Sequence, residues 1–222
     1  MVRTKLCGLG TEADVRAAVD AGADAVGFVT DVDVDTPREV PTERAAELAD
    51  TAPPFVTTVA VTIPESVDAA IEVAGCVAPD ALQIHGDFTP NQVREIRDRA
   101  GVDVIVAIGA NEPERARALD NVADALLVDS LTESGAGGTG ETHDWERSRE
   151  LREELSTPLV LAGGLTPANV REAVERVDPF AVDVASGVER DDEPGRKNHD
   201  ALAAFVREAR AAGEPGPAAE DV

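Results

Sequence analysis

Ala123-Asp124-Ala125-Leu126-Leu127-Val128-Asp129 is a turn residue, an apolar run and a closing carboxylate. An Asp suits a tight helix-to-strand turn, and the unbroken apolar run suits a strand buried on both faces. Ala23-Asp24-Ala25-Val26 and Pro79-Asp80-Ala81-Leu82 repeat the opening of this unit, which reads as a recurrent structural element rather than a functional code. Eight such apolar runs occur, at 2–7, 24–29, 55–61, 80–84, 102–108, 124–129, 158–162 and 180–184. They start roughly 20 to 35 residues apart, and a stretch with helical spacing follows each, as βα units require. The rhythm predicts an α/β protein: a single (β/α)8 TIM barrel, closed and parallel, with its chemistry at the carboxyl ends of the strands.

The helices are readable between the runs. The pattern predicts them at 11–21, 43–51 with Thr42 as cap, 65–74 after Pro64, 90–100, 168–176 and 198–212. Thr89-Pro90 and Thr166-Pro167 each place a capping hydroxyl before a proline suited to the first helical turn. The barrel is expected to occupy residues 1–212 as one domain. Gly213-Glu214-Pro215-Gly216-Pro217 cannot continue a helix, so 213–222 is expected to form a flexible tail.

Composition narrows the function. Of 222 residues 43% are hydrophobic, enough for a sizeable core, yet no run approaches the ~18 residues of a membrane span. Met1-Val2-Arg3-Thr4-Lys5 enters the first strand directly, so no signal peptide is read and a soluble cytoplasmic protein is expected. The net charge is −24, from 44 acidic and 20 basic residues, which disfavours nucleic acid or anionic membrane as partners. Such a surface suits a salt-rich cytoplasm. At 1 M salt the screening length is only about 3 Å, and self-repulsion largely vanishes. Two cysteines make no disulfide framework, and Cys76, just past a predicted helix end, reads as packing.

The strand ends carry the candidate chemistry. Lys5 and Cys7 share a face of strand 1, and Cys7 stands at its carboxyl end. A thiol there is either a base or nucleophile with a nearby ammonium to favour the thiolate, or a small hydrophobe closing the barrel. Lys5 is one of only two lysines, the other being Lys197. A lysine inside a barrel needs a carboxylate, and Asp183 on strand 8 is placed to supply it once the barrel closes. Asp129 ends strand 6 and reads either as a general acid or as a solvated loop residue. Gly137-Gly138-Thr139-Gly140, Gly163-Gly164 and Ser186-Gly187 follow strands 6, 7 and 8. Glycine lets backbone N–H groups approach a phosphate, and barrels commonly bind phosphate after strands 7 and 8. His85 ends a strand and can face the same pocket. Asp31-Val32-Asp33-Val34-Asp35 begins like a calcium loop, but Thr36 and Thr42 stand where that loop needs Gly and Glu. No metal site is read; His85, His143 and His199 lack ligand spacing.

Taken together, Lys5-Leu6-Cys7-Gly8, Gln83-Ile84-His85-Gly86-Asp87, Leu127-Val128-Asp129, Gly137-Gly138-Thr139-Gly140 with Asp144-Trp145, Leu161-Ala162-Gly163-Gly164-Leu165, and Asp183-Val184-Ala185-Ser186-Gly187-Val188-Glu189 resemble the phosphoribosylanthranilate isomerase family of tryptophan biosynthesis. The likeness runs from about residue 3 to 207. It implies a cofactor-free Amadori rearrangement of N-(5-phosphoribosyl)anthranilate to 1-(2-carboxyphenylamino)-1-deoxyribulose 5-phosphate. Asp129 would be the general acid and Cys7 the general base. Arg38, in Thr36-Pro37-Arg38, would hold the anthranilate carboxylate, Asp183 would help position the anthranilate end, and His85 would be a further substrate-binding residue. Gly138, Gly140, Gly163, Gly164, Ser186 and Gly187 would hold the phosphate, and no metal takes part.

The chain departs from that pattern at Ala185, where a serine is usual, at Val106, where many relatives have lysine, and at His143, where phenylalanine is usual. The rivals are a histidine-pathway isomerase, which would use two aspartates; indole-glycerol-phosphate synthase, which would need catalytic lysines on inner strands; and a non-catalytic phosphate-binding barrel, which would need neither Cys7 nor Asp129. The expected partner is a small phosphoribosyl substrate, and monomer and homodimer both remain open.

Overall fold

The computed structural model describes residues 1–129 and 145–212. In chain order it forms β1 (Arg3–Cys7), α1 (Glu12–Asp20), β2 (Ala25–Val29), α2 (Thr42–Ala49), β3 (Thr57–Thr62), α3 (Val67–Val77), β4 (Ala81–Ile84) and α4 (Pro90–Ala100). β5 (Asp103–Gly109), α5 (Pro113–Leu119), β6 (Ala125–Asp129), α6 (Trp145–Glu154), β7 (Leu159–Leu161), α7 (Val170–Val177) and β8 (Ala181–Val184) complete the units. A 3-10 turn (Ser186–Val188), the hairpin β9 (Glu189–Arg190) and β10 (Glu193–Lys197), and α8 (His199–Ala211) end the described chain. Strands β1 to β8 are parallel neighbours in sequence order, and β8 closes onto β1 with Lys5 opposite Asp183. All eight apolar runs are strands of this barrel. Gly138, Gly140, His143 and Asp144 lie outside the described residues, as does the 213–222 segment.

Alternation explains why both faces of each strand are apolar. Leu6, Val26, Leu82, Val104, Leu126 and Val182 point outward into the layer shared with the helices. Ala81, Ala107, Ala125, Leu127, Val160 and Ala181 point inward. Val106 belongs to the outer set and is fully buried there. Ile105 and Ala107 are the inward residues of β5.

The recurring Asp unit has a structural task at the amino ends of the strands. Asp24 Oδ2 accepts from Thr4 N at 2.9 Å, Asp80 Oδ2 from Thr58 N at 2.8 Å, and Asp124 Oδ2 from Val104 N at 2.8 Å. Each carboxylate thus fastens an even strand to the odd strand before it. Phe180 occupies the corresponding place before β8, where Arg3 lies 4.3 Å above its ring.

Helix starts follow local hydrogen bonding. Thr89 caps α4 through a capping box with Gln92, and Asn198 caps α8. Three expectations shift. Thr42 lies inside α2, its hydroxyl 3.2 Å from that of Thr30, and Pro41 takes the cap position. α3 starts at Val67 because the Ser66 side chain accepts from Ala69 N, and Cys76 sits exposed within that helix rather than packed beyond it. α7 starts at Val170, because Thr166 and Asn169 bond each other in a preceding turn.

Candidate active site

β1 delivers two side chains to the barrel lumen. Lys5 Nζ lies 2.8 Å from Asp183 Oδ1, and both groups are buried. Burial opposes the lysine charge, but Asp183 and then Cys7 outweigh it, and the ammonium is held above the ordinary lysine value. Cys7 stands one pleat further toward the mouth. Gly27 on β2 leaves room for both: a Cβ there would lie 3.0 Å from Cys7 Sγ and 3.2 Å from Lys5 Nζ. Burial pushes the Cys7 thiol up; Lys5 pulls it down, Asp183 pushes it up and Lys197 pulls it down, with a net rise. The resting group at neutral pH is the thiol, beside cations able to stabilise the thiolate.

Asp129 closes β6 with the same parity as Ala125 and Leu127, which face the lumen, so its carboxylate belongs to the inward set at the carboxyl end. Cys7 and Asp129 thus occupy the same end of one barrel, on strands three places apart around the closed sheet. His85 follows β4 on the inward side, 3.0 Å from Gln83 through Nε2. Burial, then Lys5, lowers its pKa to about 4 against the opposing pull of Asp183, so the ring is neutral. With the Gln83 amide nitrogen donating, hydrogen-bond logic puts the ring proton on Nδ1.

Arg38 reaches the mouth from the loop after β2. Its stem lies across Gly8, where a Cβ would meet Arg38 Cδ at 2.9 Å and φ is +69°. Its guanidinium grips Glu189 with two bonds, Nε to Oε1 at 2.7 Å and Nη2 to Oε2 at 3.1 Å. Lys197 Nζ donates to Glu189 Oε1 at 3.0 Å and to Ala185 O at 2.8 Å. Sequence reasoning missed Glu189 and Lys197 as site residues. The signal was present for Lys197, the only lysine besides Lys5.

The loops after β7 and β8 sit back to back. Gly163 and Gly164 adopt φ of +83° and +62°. A Cβ on Gly187 would collide with the Leu165 carbonyl, so glycine there permits one loop to pack on the other. Asn169 fixes the first loop by accepting from Thr166 N and donating to Gly164 O. Ser186 is exposed at the head of the 3-10 turn. Among the described residues, no cluster of His, Cys, Asp and Glu could hold a metal ion.

A closed parallel barrel with a buried thiol, a carboxylate and paired glycine loops at one end defines the class of (β/α)8 barrel enzymes. Residues 4–208 match the family described as N-(5'-phosphoribosyl)anthranilate (PRA) isomerase, PRAI. The N-(5'-phosphoribosyl)anthranilate isomerase of Halorubrum lacusprofundi is 56% identical over 94% of this chain and 97% of its own. The crystal structure of phosphoribosyl anthranilate isomerase from Thermotoga maritima superposes with a TM-score of 0.82 at 39% identity, over 95% of this chain and 100% of that one. A solved complex of such an isomerase with reduced 1-(o-carboxyphenylamino)-1-deoxyribulose 5-phosphate gives 0.78 at 37% identity, covering 95% and 100% of the two chains. This chain belongs to the N-(5'-phosphoribosyl)anthranilate isomerase family.

Proposed function

We propose that the chain converts N-(5-phosphoribosyl)anthranilate to 1-(2-carboxyphenylamino)-1-deoxyribulose 5-phosphate as a cytoplasmic enzyme, with Asp129 as general acid and Cys7 as general base. The observation that carries this reading is the placement of a thiol flanked by cations and a lumen-side carboxylate at the same end of one barrel. Asp129 gives its proton to the ribose ring oxygen, the C1′–O bond breaks, and the nitrogen lone pair forms the Schiff base. The Cys7 thiolate then removes the C2′ proton, and the C–H electrons move into the enolamine. Proton return at C1′ and loss of the enol proton complete the ketone.

The remaining residues bind. Gly163, Gly164 and Ser186 would face the phosphate, with Gly187 holding their two loops together; Gly138 and Gly140 would join them from the loop after β6. Arg38 would meet the anthranilate carboxylate. Asp183 gives Oδ1 to Lys5 and would place Oδ2 toward the anthranilate nitrogen, and neutral His85 would donate from its ring N–H. A general acid or base typically contributes about 10²–10⁴-fold. Cys7→Ala and Asp129→Asn should therefore each lose at least about 10²-fold in kcat while still binding the reduced product analogue. Near-normal turnover by either variant removes that residue from its role.

A further inference from the structure

The hairpin β9–β10 is not needed to close the barrel, yet it carries a buried charge cluster into the mouth. Glu189 and Lys197 side chains are 6% and 0% exposed, whereas Arg38 keeps 25%. Glu189 accepts two bonds from Arg38, one from Lys197 and one from Gly195 N at 3.0 Å. Burial works against its charge, but the Arg38 bonds, the Gly195 amide and Lys197 outweigh it and keep it ionised. The hairpin is fitted closely to the loop bearing Arg38. Gly195 has φ of +86°, and a Cβ there would come within 2.6 Å of Pro37 O.

Buried ion networks are poor stabilisers compared with apolar side chains of like volume. What this one supplies is direction. A two-point grip fixes the plane of a guanidinium. It leaves Nη1 with only a 3.4 Å contact to Thr36 Oγ1 among the described residues. Lys197 adds a second cation against one carboxylate, so the cluster as a whole is positive in a chain of net charge −24.

We propose that Glu189 and Lys197 are positioning residues that aim Arg38: Glu189 grips the Nε and Nη2 edge so that Nη1 faces the mouth, and Lys197 anchors Glu189 to the β8 end through Ala185 O. This rests on the reading of Arg38 as the anchor for the anthranilate carboxylate. Neither residue touches substrate.

The test is steady-state kinetics of Arg38→Ala, Glu189→Gln, Lys197→Met and the Arg38→Ala/Glu189→Gln double variant in molar KCl, with thermal midpoints alongside. Substrates are generated in situ from ribose 5-phosphate with anthranilate or, as a carboxylate-free probe, with aniline. A misaimed anchor loses binding, so Glu189→Gln should raise KM for the anthranilate substrate about tenfold with kcat within about twofold. Lys197→Met should raise KM the same way more weakly, whatever its effect on kcat through Cys7; the KM of the double variant should be no worse than that of Arg38→Ala, and the KM of the aniline substrate should be insensitive to all. Multiplying KM effects in the double variant, or an unchanged KM in both Glu189→Gln and Lys197→Met, would overturn the proposal while leaving Arg38 as anchor. An unchanged KM in Arg38→Ala would instead overturn the reading of Arg38, and the proposal with it. If Glu189→Gln melts below the assay temperature, Lys197→Met and Glu189→Asp carry the same comparison.

Discussion

Lys5 Nζ and Asp183 Oδ1 meet at 2.8 Å inside the barrel, from residues directly opposite each other on β1 and β8. The first strand and the last are thus joined by the one kind of contact that apolar side chains cannot substitute halfway. Removing one partner strands a buried charge, which costs about 3–5 kcal/mol, whereas replacing both with apolar groups is often neutral. Lys5→Met alone should therefore lower the free energy of unfolding by about that amount, and Lys5→Met/Asp183→Leu should recover most of it. Denaturant titration at constant KCl measures both, and equal losses in the single and double variants would contradict the account.

The raised Cys7 pKa sets the pH dependence of turnover. The base must be the thiolate, whose fraction grows about tenfold per pH unit below its pKa. Because Asp129 must be protonated when Cys7 is ionised, the two titrations offset each other in the native chain, and the Cys7 titration is read in Asp129→Asn: with burial holding the thiol above its ordinary value, its residual kcat/KM should climb through neutrality and level off only on the alkaline side. Lys197→Met removes one of the cations opposing that rise and should move the climb to higher pH. An Asp129→Asn profile flat from about pH 6 upward would mean that a group other than Cys7 takes the proton.

His85 predicts a specific loss of stability in acid. Its ring is lowered to about 4 when folded, against an ordinary value of 6.5. Between those values the unfolded chain binds a proton that the folded chain refuses, so stability is fully present above 6.5 and falls as pH drops toward 4. His85→Gln should flatten this part of the curve, read as unfolding midpoints across the interval. An unaltered slope would place the acid sensitivity elsewhere.

Gly187→Ala should be damaging beyond its size. The added methyl meets the Leu165 carbonyl, a backbone atom that cannot swing away. Overpacking of this kind costs about 1–3 kcal/mol, and relief requires the β7 and β8 loops to separate. The expected outcome is a lowered melting temperature together with weaker inhibition by inorganic phosphate. Weaker folding with unchanged phosphate inhibition would detach these loops from phosphate binding.

The acidic surface predicts dependence on salt. Its ion pairs, such as Arg99 with Glu95 and Asp68, are exposed and individually worth little, while excess negative charge repels itself. Raising KCl from about 0.1 to above 1 M shortens the screening length from about 10 to 3 Å. The melting temperature should rise across that range, as befits a chain whose relatives include one from Halorubrum lacusprofundi. A midpoint that fell or stayed level would argue against a salt-adapted protein.

The strands were legible because period-two burial on both faces leaves long apolar runs, and because each run ends where the barrel ends. The Lys5–Asp183 pair and the positions of Cys7 and Asp129 at strand ends followed from strand parity and closure, whereas the roles of Cys7 and Asp129 rested on the family resemblance. Thr42 misled because its hydroxyl is engaged by Thr30, a contact between distant segments that no local motif reports. Glu189 and Lys197 escaped because their hairpin matters only through its tertiary contact with the loop of Arg38. Cys76 was read as buried on residue type, yet it lies on the outer face of α3.

Asp24, Asp80 and Asp124 stitch the strands two by two, and Phe180 leaves the final couple unsewn. β7 and β8 also share the shortest ladder, Val160 with Ala181 and Leu161 with Val182. A ring parts at its weakest seam. Amide protons along this one should exchange before those of any stitched couple, and the two glycine loops perched on it would be the first to lose their alignment on warming.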